Sequence, residues 1–418
     1  MLTIPDHNPA IAPEHYHGLD FIRAAMMMLV VVLHSSVSFF PNSPDVLWPY
    51  RDPQSTILAP LIAIPIHIFV MATFFVMAGF FSALLYQHRG AWGLIANRAR
   101  SIALPLVVGW IVMFPLESAS FVMGAMRSPI IAGQPTPSQI ATTFLENPWD
   151  NPTPNYFWFL YYLLLFYLIA LVFIGFSKVV PQKICASADS LAQAFLCGRL
   201  RNLLIPTLAA LTWWSMLTMS APGIDIPDMT FMPRGIILVS YGIYFFFGWI
   251  LYRHKEFIQT LKPRAGARFC CGVVCLIVAV GLELKWQLQL RDGQDMASDS
   301  MRTLFVITQG AIALTTWPLI LGGIGLAERL LQQTNTVVKY FVDRAFWLYL
   351  THLPVCLLII IWMRDWNAPG YLKMFSAIAL TFAVVLLAFE AVRAVLPKKK
   401  SNLRPEDLNA TTDLPDQI

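Results

Sequence analysis

Charged residues are scarce in this sequence, and their scarcity excludes an ordinary water-soluble domain. Asp, Glu, Lys and Arg make up 13% of the 418 residues, against about 25% in soluble domains. Hydrophobic residues make up 57% and gather in uncharged blocks of the length, about 20 residues, that crosses a bilayer. We therefore expect an all-α, polytopic integral membrane protein, in which helices satisfy the backbone polar groups inside the lipid.

Several other signals are missing. The six cysteines form no C-x-x-C pair, and no H-E-x-x-H motif occurs, so local spacing predicts neither a disulfide nor a metal site. We find no internal repeat of the length typical of repeat proteins and no second soluble domain. The net charge of +5 is explained by attraction to anionic lipid and by membrane topology. Membrane lipid is a predicted partner, and nucleic acid is not.

The hydrophobic blocks predict about ten membrane-spanning helices. They lie at roughly 19–40, 57–86, 101–124, 155–177, 202–220, 235–252, 268–288, 303–326, 338–361 and 371–396. Lys and Arg concentrate in the even-numbered connections and the C-terminal segment, as they do in cytoplasmic segments. Both termini are therefore predicted to be cytoplasmic, with 1–18 a short N-terminal segment, 19–396 the membrane domain and 397–418 a disordered tail.

The connection at 125–154 is rich in Pro, Asn and Ser, which disfavours regular structure. Two interpretations are open for it, a lid that contacts the substrate and an ordinary exposed connector.

Ionisable residues inside predicted spans are costly unless they are paired or hydrated, so each raises a functional hypothesis. They are Arg23, His34, His67, Glu117, Glu283, His352 and Glu390. A structural or cavity-lining role is favoured for His67 and Glu117. Glu283 is expected to be solvated near the outer boundary, and Glu390 is expected to pair with Arg393 one turn later.

Arg23 and His34 share a face of the first predicted helix. Eleven steps of about 100° return to within roughly 20° of the starting direction, with a rise of ~16 Å. Asp20 can pair with Arg23 on that face. We expect a cation near the cytoplasmic surface and a deeper imidazole, both directed at one interior space. The same ~1.5 Å rise per residue lets His67 and His352 reach a similar depth. The alternative for His34 is a hydrogen bond between helices that serves packing alone.

Five segments, in order, resemble the motifs of the acyltransferase family 3 membrane proteins. The first is Leu-Asp-x-x-Arg at 19–23 followed by His34, and the second is FFVMAGFF at 74–81, with Ala78 where Ser is usual. The others are NRARSIALP (97–105), WFLYYLLLFY (158–167) and FWLYLTHLPV (346–355). Within the family, the resemblance extends to the branch that succinylates periplasmic glucans.

The resemblance implies an enzyme of the bacterial inner membrane. Such an enzyme transfers an acetyl or succinyl group from cytoplasmic acyl-coenzyme A to a hydroxyl of an extracytoplasmic polysaccharide, such as a glucan, or of a lipid-linked glycan. The implied catalytic residues are Arg23 and His34, and the implied phosphate-binding residues are Arg98 and Arg100. The family usually carries Arg-x-x-Arg at this last site, whereas Ser101 occupies the second position here. Anchoring by positive charge at the membrane surface is the competing interpretation of Arg98 and Arg100.

Two mechanisms are open for His34. A neutral imidazole in a low-dielectric cavity accepts a proton as a general base, or it carries the acyl group between the two substrates. Arg23 stays protonated and is suited to holding the donor. His352 is expected to donate to the oxyanion or to orient the acceptor. No metal and no resident cofactor is required.

A transporter or flippase for the glycan or the acyl donor is the alternative function, because intramembrane His and Arg also line substrate pathways. The absence of matching halves and of paired broken spans is evidence against it.

Overall fold

A computed structural model describes residues 16–41, 48, 50–127, 154–227, 230–331, 333 and 336–395. This part of the chain is helical and contains no β-strand. The predicted tail and most of the connection at 125–154 lie outside the described residues. The helices are α1 (His17–Val37), α2 (Leu58–Arg98), α3 (Leu104–Arg127), α4 (Trp158–Ser177), α5 (Gln182–Leu196), α6 (Leu204–Met216), α7 (Gly235–Arg253), α8 (Glu256–Leu261), α9 (Ala265–Arg291), α10 (Asp299–Leu330), α11 (Thr336–Trp362) and α12 (Gly370–Val395).

Eight helical stretches among the described residues are long and apolar enough to cross a membrane. A ninth results if α5 and α6, which are bent by 79°, form one broken span. The stretch Leu58–Gly124 has 67 residues, which at ~1.5 Å per residue is about three times the thickness of the bilayer core. It contains two predicted spans, and between them lies Gly90, whose φ of 66° interrupts the helix. The prediction of an all-α, multi-pass membrane protein is confirmed, and counting this stretch as two crossings accounts for about ten.

Helices α2 and α7 approach each other at two glycines. A Cβ on Gly79 would clash with the backbone of Phe245, and a Cβ on Gly248 would clash with the backbone of Val76. Small residues allow membrane helices to pack this closely. The glycine of the FFVMAGFF segment therefore has a packing role, and the contact fixes which face of α2 is turned toward the rest of the bundle.

Helix α1 packs against α2, α10, α11 and α12, so it lies at the centre of the bundle. Its first turn is fixed by Glu328 of α10, whose carboxylate accepts hydrogen bonds from the backbone N–H groups of Gly18 and Leu19. The Gly18 N–H is among the amides that a helix start leaves without an intrahelical partner, whereas the Leu19 N–H also donates to the Tyr16 carbonyl at 3.0 Å. The central position and the fixed first turn orient the face of α1 that carries Arg23 and His34.

Candidate functional site

His34 of α1 and His352 of α11 form a hydrogen-bonded pair. His34 Nδ1 lies 2.8 Å from His352 Nε2, and the two rings are nearly parallel, at 9°. His352 is fully buried, with 0% of its surface exposed, whereas His34 keeps partial exposure. The pair therefore has an inner member that is enclosed by protein and an outer member that a ligand can reach.

The partners of His352 determine which ring nitrogens carry protons. His352 Nδ1 lies 2.9 Å from the Leu348 carbonyl oxygen and 2.8 Å from that of Tyr349. Carbonyl oxygens only accept, so Nδ1 must carry the hydrogen and Nε2 of the neutral ring must accept. The proton between the rings then belongs to His34 Nδ1. The remaining nitrogen of His34, Nε2, holds a lone pair and accepts no hydrogen bond from a described residue.

A proline in α11 supports this arrangement. Pro354 has no N–H group, so the carbonyl of Leu350, four residues earlier, lacks its helical donor. The Tyr156 hydroxyl donates to that carbonyl at 2.6 Å. In return, the Tyr349 hydroxyl donates to the Tyr156 carbonyl at 2.7 Å. These two bonds connect the start of α4 to the turn of α11 that holds His352.

Two further side chains surround His34. The Trp48 ring stacks on the imidazole with centroids 5.9 Å apart and planes at 21°. His67 of α2 is near enough for an electrostatic interaction with His34. Of the three histidines predicted to reach similar depths, the structure brings two into a hydrogen bond and the third into the same neighbourhood.

A cavity of about 430 Å³ is lined in part by Tyr349 and Leu350, which lie in the turn of α11 before His352. Its lining is largely apolar and aromatic and includes Phe74, Ala78 and Phe159. Arg23 and Arg98 also line it, and they are close enough to influence each other electrostatically. Asp343 also lines the cavity, so the two guanidinium groups leave the lining with an excess of positive charge. This excess favours an anionic ligand, since Arg pairs well with phosphate and carboxylate groups.

Arg98 is almost completely buried, with 3% of its surface exposed. Its guanidinium lies 5.0 Å from the Tyr167 ring centroid and donates from one terminal nitrogen to Ser82 Oγ at 3.4 Å. Its Nε has no hydrogen-bond partner in the described part of the chain, and no carboxylate there forms an ion pair with it. An uncompensated buried cation is costly, so the site is suited to an anion that supplies the missing acceptor.

Arg100 does not join Arg98 in the cavity. The chain from Ala99 to Ala103 forms a π-helix, and within it Ser101 and Ile102 line the cavity while Arg100 is exposed. The structure therefore places Arg98 and Ser101, at the spacing of the usual family arginines, toward the cavity. The phosphate-binding role of Arg100 stays a prediction.

Arg23 is the second cation of the cavity. It pairs with Asp20 at 3.3 Å, as expected from their spacing, and its guanidinium lies 5.5 Å from the Phe81 ring centroid. Unlike Arg98, it has a carboxylate to offset its charge.

Arg23 and His34 were predicted to face one interior space, but only Arg23 lines the cavity. Arg23 and Met27 line the cavity, whereas His34, seven residues beyond Met27 on the same face and ~10 Å further along α1, does not. Tyr349 and Leu350 of α11 do line it, within one turn of His352. The cavity therefore ends just short of the histidine pair.

The remaining ionisable residues give two corrections. Glu390 pairs with Arg344 of α11 rather than with Arg393, because the guanidinium of Arg344 is buried and needs a carboxylate. Glu283 is buried, with 8% of its surface exposed, and accepts a hydrogen bond from Gln287 at 3.3 Å, so the expectation that it is solvated is wrong. Glu117 is buried as well, at 1% exposure.

Two residues in the region around His34 were not predicted from the sequence. Lys373 lies within the tenth predicted span and is fully buried, so the rule that flagged the other ionisable residues applied to it equally. Trp48 lies in a connection, and nothing in its local sequence predicts its contact with His34.

No group of three or more His, Cys, Asp or Glu side chains with a geometry that could hold a metal ion occurs in the described ranges.

Comparison with known proteins gives one clear result. A family described as an acyltransferase domain, of the acyltransferase 3 type, matches residues 16–390, which is most of the chain and includes all five motif segments. No curated protein and no solved structure gives a significant match. The matched range contains the histidine pair and the arginine-lined cavity, and the chain belongs to acyltransferase family 3, a family of membrane acyltransferases.

Proposed function

We propose that this acyltransferase moves an acetyl or succinyl group from acyl-coenzyme A to a hydroxyl of an extracytoplasmic or lipid-linked glycan. One observation carries the proposal. Tyr349 lines the arginine-lined cavity, its carbonyl oxygen accepts a hydrogen bond from His352, and His352 is hydrogen-bonded to His34. The reacting end of a donor bound in the cavity would therefore point toward the basic nitrogen of His34.

The cavity has the features that acyl-coenzyme A requires. Arg98 lacks a partner at Nε and offers it to a phosphate oxygen, while Arg23 supplies a second positive charge. The largely apolar lining suits the long, uncharged arm that joins the phosphates of coenzyme A to its thioester. Arg23 and His34 are ~16 Å apart along α1, a distance that an extended arm of this kind spans.

The proposed reaction uses the lone pair of His34 Nε2. This nitrogen takes the proton of the acceptor hydroxyl as the oxygen attacks the thioester carbon, so a C–O bond forms. The C–S bond then breaks, and the proton passes from His34 to the thiolate, giving the ester and free coenzyme A. His352 keeps its hydrogen bond to His34 Nδ1 throughout and fixes the orientation of the ring, as the partner of a catalytic histidine does in other enzymes.

The same lone pair of His34 could also carry the acyl group. The two mechanisms differ in whether the protein becomes acylated when only the donor is present. A base acts only when both substrates are present, whereas a carrier becomes acylated without acceptor. We propose the base, and donor labelled in its acyl group, incubated with the protein without acceptor, is therefore expected to leave no label on His34.

His34→Gln provides the main test, because it removes the base while keeping a polar side chain. Protein in liposomes is supplied with acetyl- or succinyl-coenzyme A and with unacylated glycan extracted from cells that lack the protein. We expect acyl transfer, measured by mass spectrometry of the glycan, to fall by about 10²–10⁴-fold. The matched control is His88→Gln, since His88 is exposed on α2, and it should leave transfer unchanged. Equal transfer by the His34 variant and the wild type would contradict the proposal.

A further inference from the structure

The described residues between α1 and α2, at 38–41, 48 and 50–57, lie at the end of the bundle where His34 lies. The backbone N–H of Asp52 donates to the Ser38 carbonyl at 2.9 Å, and that of Thr56 donates to the Phe39 carbonyl at 2.9 Å. Phe39 and Tyr50 pack with Met363 and Met374 in a separate apolar cluster. The described part of this connection is therefore an ordered piece of the bundle end.

A buried ion pair anchors the segment. Lys373 Nζ lies 2.6 Å from Asp52 Oδ2, and neither side chain has any exposed surface. Lys373 also donates to the Arg364 carbonyl at 3.0 Å, and the other Asp52 oxygen accepts from the Gln54 backbone at 2.8 Å. The charges offset each other, so the pair holds the segment without offering charge to a ligand.

The burial of Tyr50 shows how completely the anchor excludes water. Its side chain has no exposed surface, and burial, together with the nearby Asp52 carboxylate, raises the pKa of its hydroxyl. Tyr50 therefore stays neutral and adds to the apolar wall behind the segment.

The anchored segment presents Trp48 to His34. The indole N–H donates to Ser38 Oγ at 2.7 Å, so the polar edge of the ring is already occupied. One region of the ring stacks on His34, and the side chain as a whole remains partly exposed. What Trp48 offers to a ligand is an apolar aromatic surface next to the His34 ring.

We propose that Trp48 forms the wall of a subsite that binds a sugar ring of the acceptor and presents its hydroxyl to His34 Nε2. The inference rests on the proposed function. A sugar ring has apolar C–H faces and a rim of hydroxyls, so an aromatic surface binds the face while a neighbouring base reaches the rim.

Trp48→Ala and Trp48→Phe test the subsite in the full-length protein in liposomes, with acetyl- and succinyl-coenzyme A as donors and the extracted unacylated glycan as acceptor. We expect Trp48→Ala to raise the KM for glycan about tenfold or more, the loss expected from removing a stacked ring, while the KM for donor changes less than twofold. Trp48→Phe should recover most of the glycan affinity. Trp92→Ala is the matched control, because Trp92 is 78% exposed, and it should change neither constant.

The outcomes separate the two proposals. Absence of transfer by the wild type would overturn the proposed function and the subsite with it. Wild-type transfer with an unchanged glycan KM in Trp48→Ala would overturn the subsite alone. A parallel rise of both KM values in Trp48→Ala would show that the ring only supports the fold, and that outcome also overturns the subsite.

Discussion

The arginine-lined cavity and the region around the histidine pair differ in whether a buried charge has a partner of opposite charge. In the arginine-lined cavity, Arg98 is buried and forms no ion pair with a carboxylate of the described residues. At the histidine end, Lys373 is buried as completely but is paired with Asp52. A buried charge left uncompensated is costly to the free protein and is retained where a ligand completes it, whereas a compensated charge serves the architecture. Burial alone therefore does not identify a binding residue, and the partner must be examined.

Lys373→Met should have the largest effect on stability. It leaves the Asp52 carboxylate buried and unpaired, which lowers the free energy of unfolding by about 3–5 kcal/mol. Thermal denaturation in detergent measures this loss. The double variant Asp52→Asn with Lys373→Met removes both charges and should recover most of the stability. A single variant as stable as the wild type would show that the pair does not anchor the segment.

Arg98→Met should weaken donor binding without lowering the stability of the protein. Losing a charge-assisted hydrogen bond to the donor costs about 1.5–3 kcal/mol, so we expect the KM for acyl-coenzyme A to rise by about 10–100-fold. Without donor, the variant should be at least as stable as the wild type, because an uncompensated buried cation has been removed. Arg89→Met is the matched control, because Arg89 is exposed on α2, and it should change the donor KM less than twofold. Equal effects of the two variants would remove the distinction between these arginines.

His352→Gln should have the smallest effect and sharpens the contrast within the histidine pair. Removal of the group that orients a functional histidine costs about 10–100-fold in metal sites, and we expect a loss of kcat at the lower end of that range. Steady-state kinetics should show the KM for donor unchanged. A rise in donor KM with kcat preserved would mean that His352 contributes to the cavity and does not orient His34.

Much of the fold could be predicted from the sequence, because the bilayer imposes its own pattern. The apolar blocks predicted α1, α4, α7 and α9 to α12 to within several residues, since a helix is the only local structure that satisfies their backbone in lipid. The mostly helical path from Leu58 to Gly124, interrupted at Gly90, could not be predicted, because polar residues at 87–100 indicate a connection and do not reveal that most of it is helical.

The candidate site was predictable in part. Helical spacing correctly placed Asp20 beside Arg23, since both lie on one helix. The hydrogen bond between His34 and His352 joins residues 318 positions apart. The helical rise per residue indicated that the two lie at similar depths in the membrane, but it could not predict that they are in contact. The pairing of Glu390 with Arg344 was missed for the same reason, because a partner on the same helix is visible in sequence and a partner on another helix is not.

The π-helix at Ala99–Ala103 has a consequence for how insertions and deletions are tolerated. A π-turn holds one residue more than an α-turn between its bonded partners, so it accommodates an extra residue without breaking the helix. Removing one residue here would restore an ordinary α-helix while leaving the helix faces on either side close to their present directions. The same deletion in a plain α-turn would rotate everything after it by about 100°, and Pro105, which lines the cavity, would turn away with the face of α3 that follows it. This wide turn thus lets the helix take up a change of length while the face that lines the cavity stays in place.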